Sequence, residues 1–159
     1  MSLAQQAVME LDSAREYFNR STRNLTEAHS AFAPAPETMT AAQQVAHVAQ
    51  TIDWFLQGAF RPEGFNTDFE AMGKEIAGYA SLAVARAWFE KAVDAAKASV
   101  ATKSDAELMA LMPPGPIMGG VPRFAIFSAI TDHTAHHRGA LTVYARLKGI
   151  VPPMPYMDM

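Results

Sequence analysis

Two histidines near the end of the chain stand four residues apart, in a segment with the apolar spacing of a helix. His133 and His137 therefore project from one side of that helix, one turn apart. The same side carries Ile126, Ile130, Leu141 and Tyr144. An inward-facing pair of imidazoles at this spacing can hold one metal ion. The alternative is that each is a neutral core histidine, although burying two without a partner is costly.

A third histidine occupies the flank of an apolar stripe in an earlier helical segment. His47 would complete a three-nitrogen site with open positions, which is the pattern of catalytic zinc; imidazole also suits Ni²⁺, Cu²⁺ and Fe²⁺. His136 points about 100° away from His137 around the helix, so we place it at the rim or the surface. His29 is expected at an exposed helix end.

Apolar side chains spaced by three and four residues predict the elements that must position these histidines. Four long helices are expected, over residues 3–29, 41–60, 82–102 and 122–148. Thr40 is the expected N-cap of the second helix and Ser81 that of the third, and Gly149 ends the fourth. Short helices are expected around 69–76 and 104–112. The sequence predicts an all-α fold, a four-helix bundle, and the about twenty residues between the second and third helices permit a crossover between parallel helices.

Composition narrows the class of protein further. The 159 residues are 50% hydrophobic and 18% charged, which predicts one domain over residues 1–159. The net charge is −3 without a basic run, which argues against nucleic acid or an anionic membrane as partner. The absence of cysteine excludes disulfides and thiolate ligands from the chain. No apolar stretch is long enough to span a membrane and no signal segment opens the chain, so a cytoplasmic protein is expected.

The segment around the histidine pair is similar to a known family signature. Residues 133–140 read His-Thr-Ala-His-His-Arg-Gly-Ala, and Gly-Ile-Val-Pro-Pro follows at 149–153. This resembles the C-terminal helix of the DinB/YfiT-like superfamily, whose members read His-x-x-x-His-Arg-Gly-Gln and end in Gly and Pro-Pro. The segment Gln-Val-Ala-His-Val-Ala at 44–49, followed by Trp54, resembles that family's second-helix histidine. One departure is Ala140, where the family has Gln.

The resemblance implies a four-helix bundle with a long connection between the second and third helices. It also implies a divalent metal held by three histidines that map onto His47, His133 and His137, and zinc or nickel is the metal we expect there. Family members of known chemistry are transferases or isomerases that use a low-molecular-weight thiol such as mycothiol, bacillithiol or glutathione. Homodimers are common in the family, which makes a homodimer an expectation for this chain.

The leading hypothesis is a metal-dependent thiol S-transferase that acts on a small electrophile. Because the chain has no cysteine, the thiol would arrive as a cofactor. Trp54 and Tyr144 are candidates to line the pocket or to be core aromatics. Arg138 is a candidate to bind a carboxylate of the cofactor or to form a structural ion pair.

Two other functions are considered. A metal-dependent hydrolase would normally need a carboxylate beside the metal as general base. Asp53 and Asp132 both point away from the histidines on their helices, which weakens this hypothesis. The other is a bundle without catalytic function that binds a small ligand or a partner helix.

Overall fold

The computed structural model describes residues 1–157, and its regular structure there is helical. The elements are α1 (Leu3–Thr22), a short 3₁₀ helix (Glu27–His29), α2 (Ala41–Phe60), α3 (Phe69–Ala77), α4 (Leu82–Ala101), α5 (Asp105–Met109) and α6 (Ala125–Leu147). A single β-bridge joins Leu111 and Pro122. Within the described residues, no helix combines the length and the apolar character that crossing a membrane requires.

The four long helices α1, α2, α4 and α6 form a closed bundle in which each packs against two others. Helix α2 packs on α4 and α6, and α1 packs on the same two helices from the opposite side. The core between them contains many alanines, which allow close approach, and a few large side chains that include Phe18, Phe89 and Phe127. The predicted all-α four-helix bundle is therefore confirmed.

Helices α2 and α4 run in the same direction, as the long crossover between them permits. Ser30 marks their common N-terminal end, because its carbonyl accepts from Ala42 N–H at 3.1 Å and its hydroxyl accepts from Leu82 N–H at 2.9 Å. At the other end, the Lys103 ammonium lies 5.3 Å from the centre of the Phe60 ring. The crossover contains α3, which packs against α2.

The crossover is held to α2 by aromatic packing. The Phe65 ring lies so close to Gly58 that a Cβ there would come within 2.2 Å of it. The Trp54 ring packs against Phe65 at 4.7 Å between centroids, and its indole N–H donates to the Asn66 carbonyl at 2.8 Å. These contacts fix the segment that leads into α3.

Three helix boundaries differ from the sequence prediction. Helix α1 ends at Thr22 and not at residue 29, because the Arg86 guanidinium donates to the carbonyls of Thr22 and Leu25. The last long helix begins at Ala125. Its expected start at Pro122 was wrong, since that residue pairs with Leu111 in the β-bridge. Helix α5 ends at Met109 and does not reach residue 112.

Candidate metal centre

Three imidazoles meet between α2 and α6. The Nε2 atom of His133 lies 3.3 Å from Nε2 of His47 and 3.2 Å from Nε2 of His137. One ring nitrogen from each histidine lies within 4.8 Å of those of the other two. The predicted trio is thus brought together at one point.

The antiparallel packing of α2 on α6 produces this meeting. Gln44 lies opposite Tyr144 and His137, whereas Thr51, two turns later on α2, lies opposite His133. His47 stands between these two levels and faces the gap between His133 and His137. The spacing of four residues on α6 and the single histidine on α2 therefore define one triangle of nitrogens.

A chain of hydrogen bonds sets the protonation of His137. The Tyr144 hydroxyl donates to the Met39 carbonyl at 2.8 Å, so its oxygen accepts from the Gln44 amide nitrogen at 3.3 Å. The Gln44 carbonyl oxygen is then directed at Nδ1 of His137, which must carry the proton and donate it. The proton on Nδ1 leaves the lone pair of His137 Nε2 free to face the other two imidazoles.

A second glutamine stands on the other side of His47. The Gln50 amide nitrogen donates to the Met72 carbonyl at 3.0 Å and to the Glu75 carboxylate at 2.7 Å. Hydrogen bonding between Gln50 and His47 acts to raise the pKa of the imidazole, against a larger effect of burial that lowers it. Through Gln50, the position of His47 is therefore tied to α3.

All three imidazoles are held in the neutral form. Burial, with smaller contributions from the neighbouring His47 and His136, lowers the pKa of His133 to about 4. Burial likewise lowers the pKa of His137 to about 3, with contributions from His133 and His47. Neutral imidazole is the form that binds a metal.

The donor set fits a divalent metal ion. Two Nε2 atoms bound to a tetrahedral ion at 2.0–2.1 Å are about 3.3 Å apart, and the two measured separations are 3.3 and 3.2 Å. A proton on His133 Nε2 could serve only one of those contacts well, whereas one cation can satisfy three lone pairs. The three histidines are thus able to bind a metal ion.

A cavity of about 420 Å³ opens beside the triad, between α2, α3 and the loop at 37–39. His47 is the member of the triad that lines it. Its walls are formed mainly by apolar side chains from Met39, Phe69, Met72, Ile76 and Ala77. The cavity therefore adjoins the triad at His47.

The other predicted site residues lie around the centre in different ways. Tyr144 is buried and acts on His137 through Gln44, as described above. Trp54 packs against the crossover and is not among the residues lining the cavity. The Arg138 guanidinium lies 5.8 and 5.7 Å from the centres of the Tyr17 and Tyr156 rings, on the side of α6 that faces α1.

The other two histidines, His136 and His29, lie outside the triad. His136 is exposed, and its ring lies edge-on to that of His137. His29 is half-buried, not exposed as predicted, because its Nδ1 accepts from Thr26 N–H at 3.0 Å within the 3₁₀ helix.

Sequence reasoning did not single out Gln44, although it stands three residues before His47, next to it on the helical surface. That spacing on an inward-facing helix was the available signal. The neighbouring Gln43 forms the capping box at the N-terminus of α2 with Thr40.

Among the described residues, the histidine cluster contains no carboxylate. Asp53 accepts from the Trp88 indole at 2.8 Å, and Asp132 is exposed.

Comparison with solved structures supports the fold. The chain is similar to a DinB-like protein from Bacillus cereus, with a TM-score of 0.67, 20% identity, and coverage of 95% of this chain and 93% of that one. It is also similar to a conserved protein from Enterococcus faecalis, with a TM-score of 0.66, 18% identity, and coverage of 92% and 97%. Among curated proteins, none matches the chain.

The family comparison covers both helices that carry the triad. The model of the DinB superfamily matches residues 10–141, which include His47, His133 and His137 and more than half of the sequence. An all-helical bundle with three converging imidazoles is what the structure adds to that match. The chain belongs to the DinB superfamily.

Proposed function

We propose that this protein is a metal-dependent thiol S-transferase that joins a low-molecular-weight thiol to a small electrophile. The observation that carries the proposal is the cluster of three neutral imidazoles beside an apolar cavity. His47, His133 and His137 would hold the ion, with zinc or nickel as the candidates that suit three imidazoles.

When bound, a divalent ion with an open position holds a thiol as its thiolate at neutral pH. The residues of the chain have separate tasks. Gln44 orients His137 and keeps its Nε2 lone pair directed at the centre. The apolar cavity walls would release water when the electrophile enters beside His47.

The thiol must be supplied from outside, since the sequence contains no cysteine. The absence of a carboxylate from the described histidine cluster makes direct hydrolysis a weaker candidate. Asp53 is engaged by Trp88 and burial raises its pKa, but its hydrogen bond is directed away from the triad toward α4. A thiolate nucleophile needs no such base at the metal, which favours the transferase over the hydrolase.

The first test is the metal content of protein prepared without a histidine tag, measured by inductively coupled plasma mass spectrometry. About one ion per chain is expected from the single cluster. His47→Ala, His133→Ala and His137→Ala should each lose most of it. His136→Ala is the matched control, because that imidazole is exposed and lies outside the cluster. Equal losses in His136→Ala and His137→Ala would contradict the assignment of ligands.

The second test separates the transferase from the other functions. In protein loaded with Co²⁺, addition of a thiol should produce the charge-transfer absorption of a cobalt–thiolate bond, and His137→Ala should abolish it. Consumption of an electrophile such as monochlorobimane should then require both metal and thiol. Turnover of an ester substrate without thiol would favour the hydrolase. Absence of both activities would favour a bundle that only binds ligands.

A further inference from the structure

The cavity beside His47 has a chemistry of its own. Beyond the apolar walls, four side chains give it polar groups, and these come from Glu37, Thr38, Gln43 and Gln50. Its volume of about 420 Å³ falls in the range of small-molecule sites. The question is which of its polar groups are free to bind a ligand.

The glutamine donors already have partners. The Gln50 amide nitrogen donates to both Met72 and Glu75. The Gln43 amide nitrogen donates to the Ala77 carbonyl at 3.2 Å, and its oxygen accepts from the Thr40 N–H at 2.9 Å. These amides hold α3 and the start of α2 in place, and they offer little to a negatively charged group.

The charge at the cavity is negative or absent. Among the described residues that line the cavity, Glu37 is the acidic one and none is a lysine or an arginine. Lys74, next to Gly73 on α3, is engaged with Glu70 on the same helix. An anion placed among these side chains would lose its hydration without gaining a cationic side chain as partner, which is costly.

One wall of the cavity is partly exposed to solvent. The Phe69 side chain is 58% exposed although it lines the cavity, and Met39 and Met72 are half-buried beside it. Methionine side chains are flexible and adapt their shape to an apolar ligand. An apolar body entering the cavity would cover surface that water now contacts.

We infer that the walls of the cavity bind a small uncharged molecule with an apolar body in preference to an anion. Resting on the proposed function, this molecule would be the electrophile, and it would lie beside His47, one of the three residues that would hold the metal. The selectivity lies in the apolar walls and in Glu37 at the edge, not in the histidines.

Gly73 gives a way to test the cavity without altering the triad. It lies inside α3 and lines the cavity, and a Cβ built there meets nothing within 4 Å. A large side chain at this position therefore enters the space that a ligand would occupy. Gly139 on α6 also has nothing within 4 Å of a Cβ and does not line this cavity, so it is a matched control.

The probes are methyl phenyl sulfone and benzenesulfonate, which have nearly the same shape and differ in charge. Isothermal titration calorimetry on the full chain, as purified and after EDTA treatment, should show binding of the sulfone in both forms. In the EDTA-treated protein, benzenesulfonate should bind about tenfold more weakly than the sulfone or worse, because no cationic side chain lines the cavity. Glu37→Lys, which places a cation at the edge, should narrow that difference.

Gly73→Phe should weaken sulfone binding about tenfold or more by filling the cavity, whereas Gly139→Phe should leave it unchanged. Circular dichroism and metal content establish that both variants keep the fold and the centre. Equal affinity for the two probes in the EDTA-treated protein, or full sulfone affinity in Gly73→Phe, would overturn the inference. If the sulfone binds but the protein never takes up metal, the inference about the cavity holds and the transferase proposal fails. If the protein takes up metal but the sulfone does not bind, the inference about the cavity fails and the transferase proposal is unaffected.

Discussion

The side-chain carbonyl of Gln44 accepts the Nδ1 proton of His137 across the interface between α2 and α6. The direction of this hydrogen bond is fixed from its far end, because the Met39 carbonyl can only accept and the Tyr144 hydroxyl must donate to it. Each proton in the chain then has one place. Contacts from α6, α2 and the loop before α2 thereby leave Nε2 of His137 without a proton.

Gln44→Leu should weaken zinc binding by about 10- to 100-fold, the range found when the partner of a metal-bound histidine is removed. Leucine keeps the apolar packing of α2 but leaves His137 free to rotate and to change tautomer. The measurement is competition for Zn²⁺ with a chromophoric chelator. Tyr144→Phe, which keeps the Gln44 carbonyl, should have a smaller effect, and unchanged affinity in Gln44→Leu would contradict this role.

Gly58→Ala and Gly73→Ala should change stability in opposite directions. Alanine inside a helix is usually more stable than glycine by about 0.5–1 kcal/mol, and Gly73 has the space to show it. At Gly58 the added methyl would meet the Phe65 ring, which must move away from Trp54. We expect a loss of about 1–3 kcal/mol in the free energy of unfolding there.

Chemical denaturation of the two glycine variants beside the unchanged protein measures both effects. A gain in stability for Gly58→Ala would mean that the crossover does not pack on α2 as described. A loss for Gly73→Ala would mean that this part of α3 is not helical in solution.

The triad and the bundle could be predicted from the sequence because both depend on regular spacing. The four-residue separation of His133 and His137 and the apolar stripes of the long helices determine which faces meet. The ends of helices depend on partners that are distant in the sequence, as with Arg86 at the end of α1. Gln44 was missed for the same reason, since its partners His137 and Tyr144 lie on another helix.

Arg86→Met should destabilise the bundle by about 1–3 kcal/mol. The guanidinium donates to the Thr22 hydroxyl at 3.1 Å, to the Thr22 carbonyl at 2.7 Å and to the Leu25 carbonyl at 3.3 Å. Methionine fills a similar volume and removes all three of these donors, so that the Thr22 carbonyl keeps only the Leu25 N–H, at 3.0 Å. The stability of Arg86→Lys should lie between that of the unchanged protein and that of Arg86→Met, because one ammonium cannot reach all three oxygens in the same geometry. Thermal unfolding of the three proteins gives the order.

Removing the metal should make stability depend on pH between 6.5 and 5. In the metal-free folded protein the pKa of His133 is lowered to about 4 and that of His137 to about 3, whereas unfolded histidine titrates near about 6.5. Within this window the unfolded chain binds more protons than the folded one, so the free energy of unfolding falls as the pH falls. The loss begins near about pH 6.5 and continues toward the folded pKa values.

Denaturation with urea in EDTA, at intervals of half a pH unit from 8 to 5, measures that slope above the range in which most carboxylates titrate. His133→Leu should flatten the slope, because leucine takes up no proton in either state. Saturation with zinc should shift the onset of the loss to lower pH, because metal and protons compete for the same nitrogens. An equal slope in the EDTA-treated protein and in His133→Leu would show that other groups set the acid sensitivity, and the imidazoles would then not be held neutral by the fold.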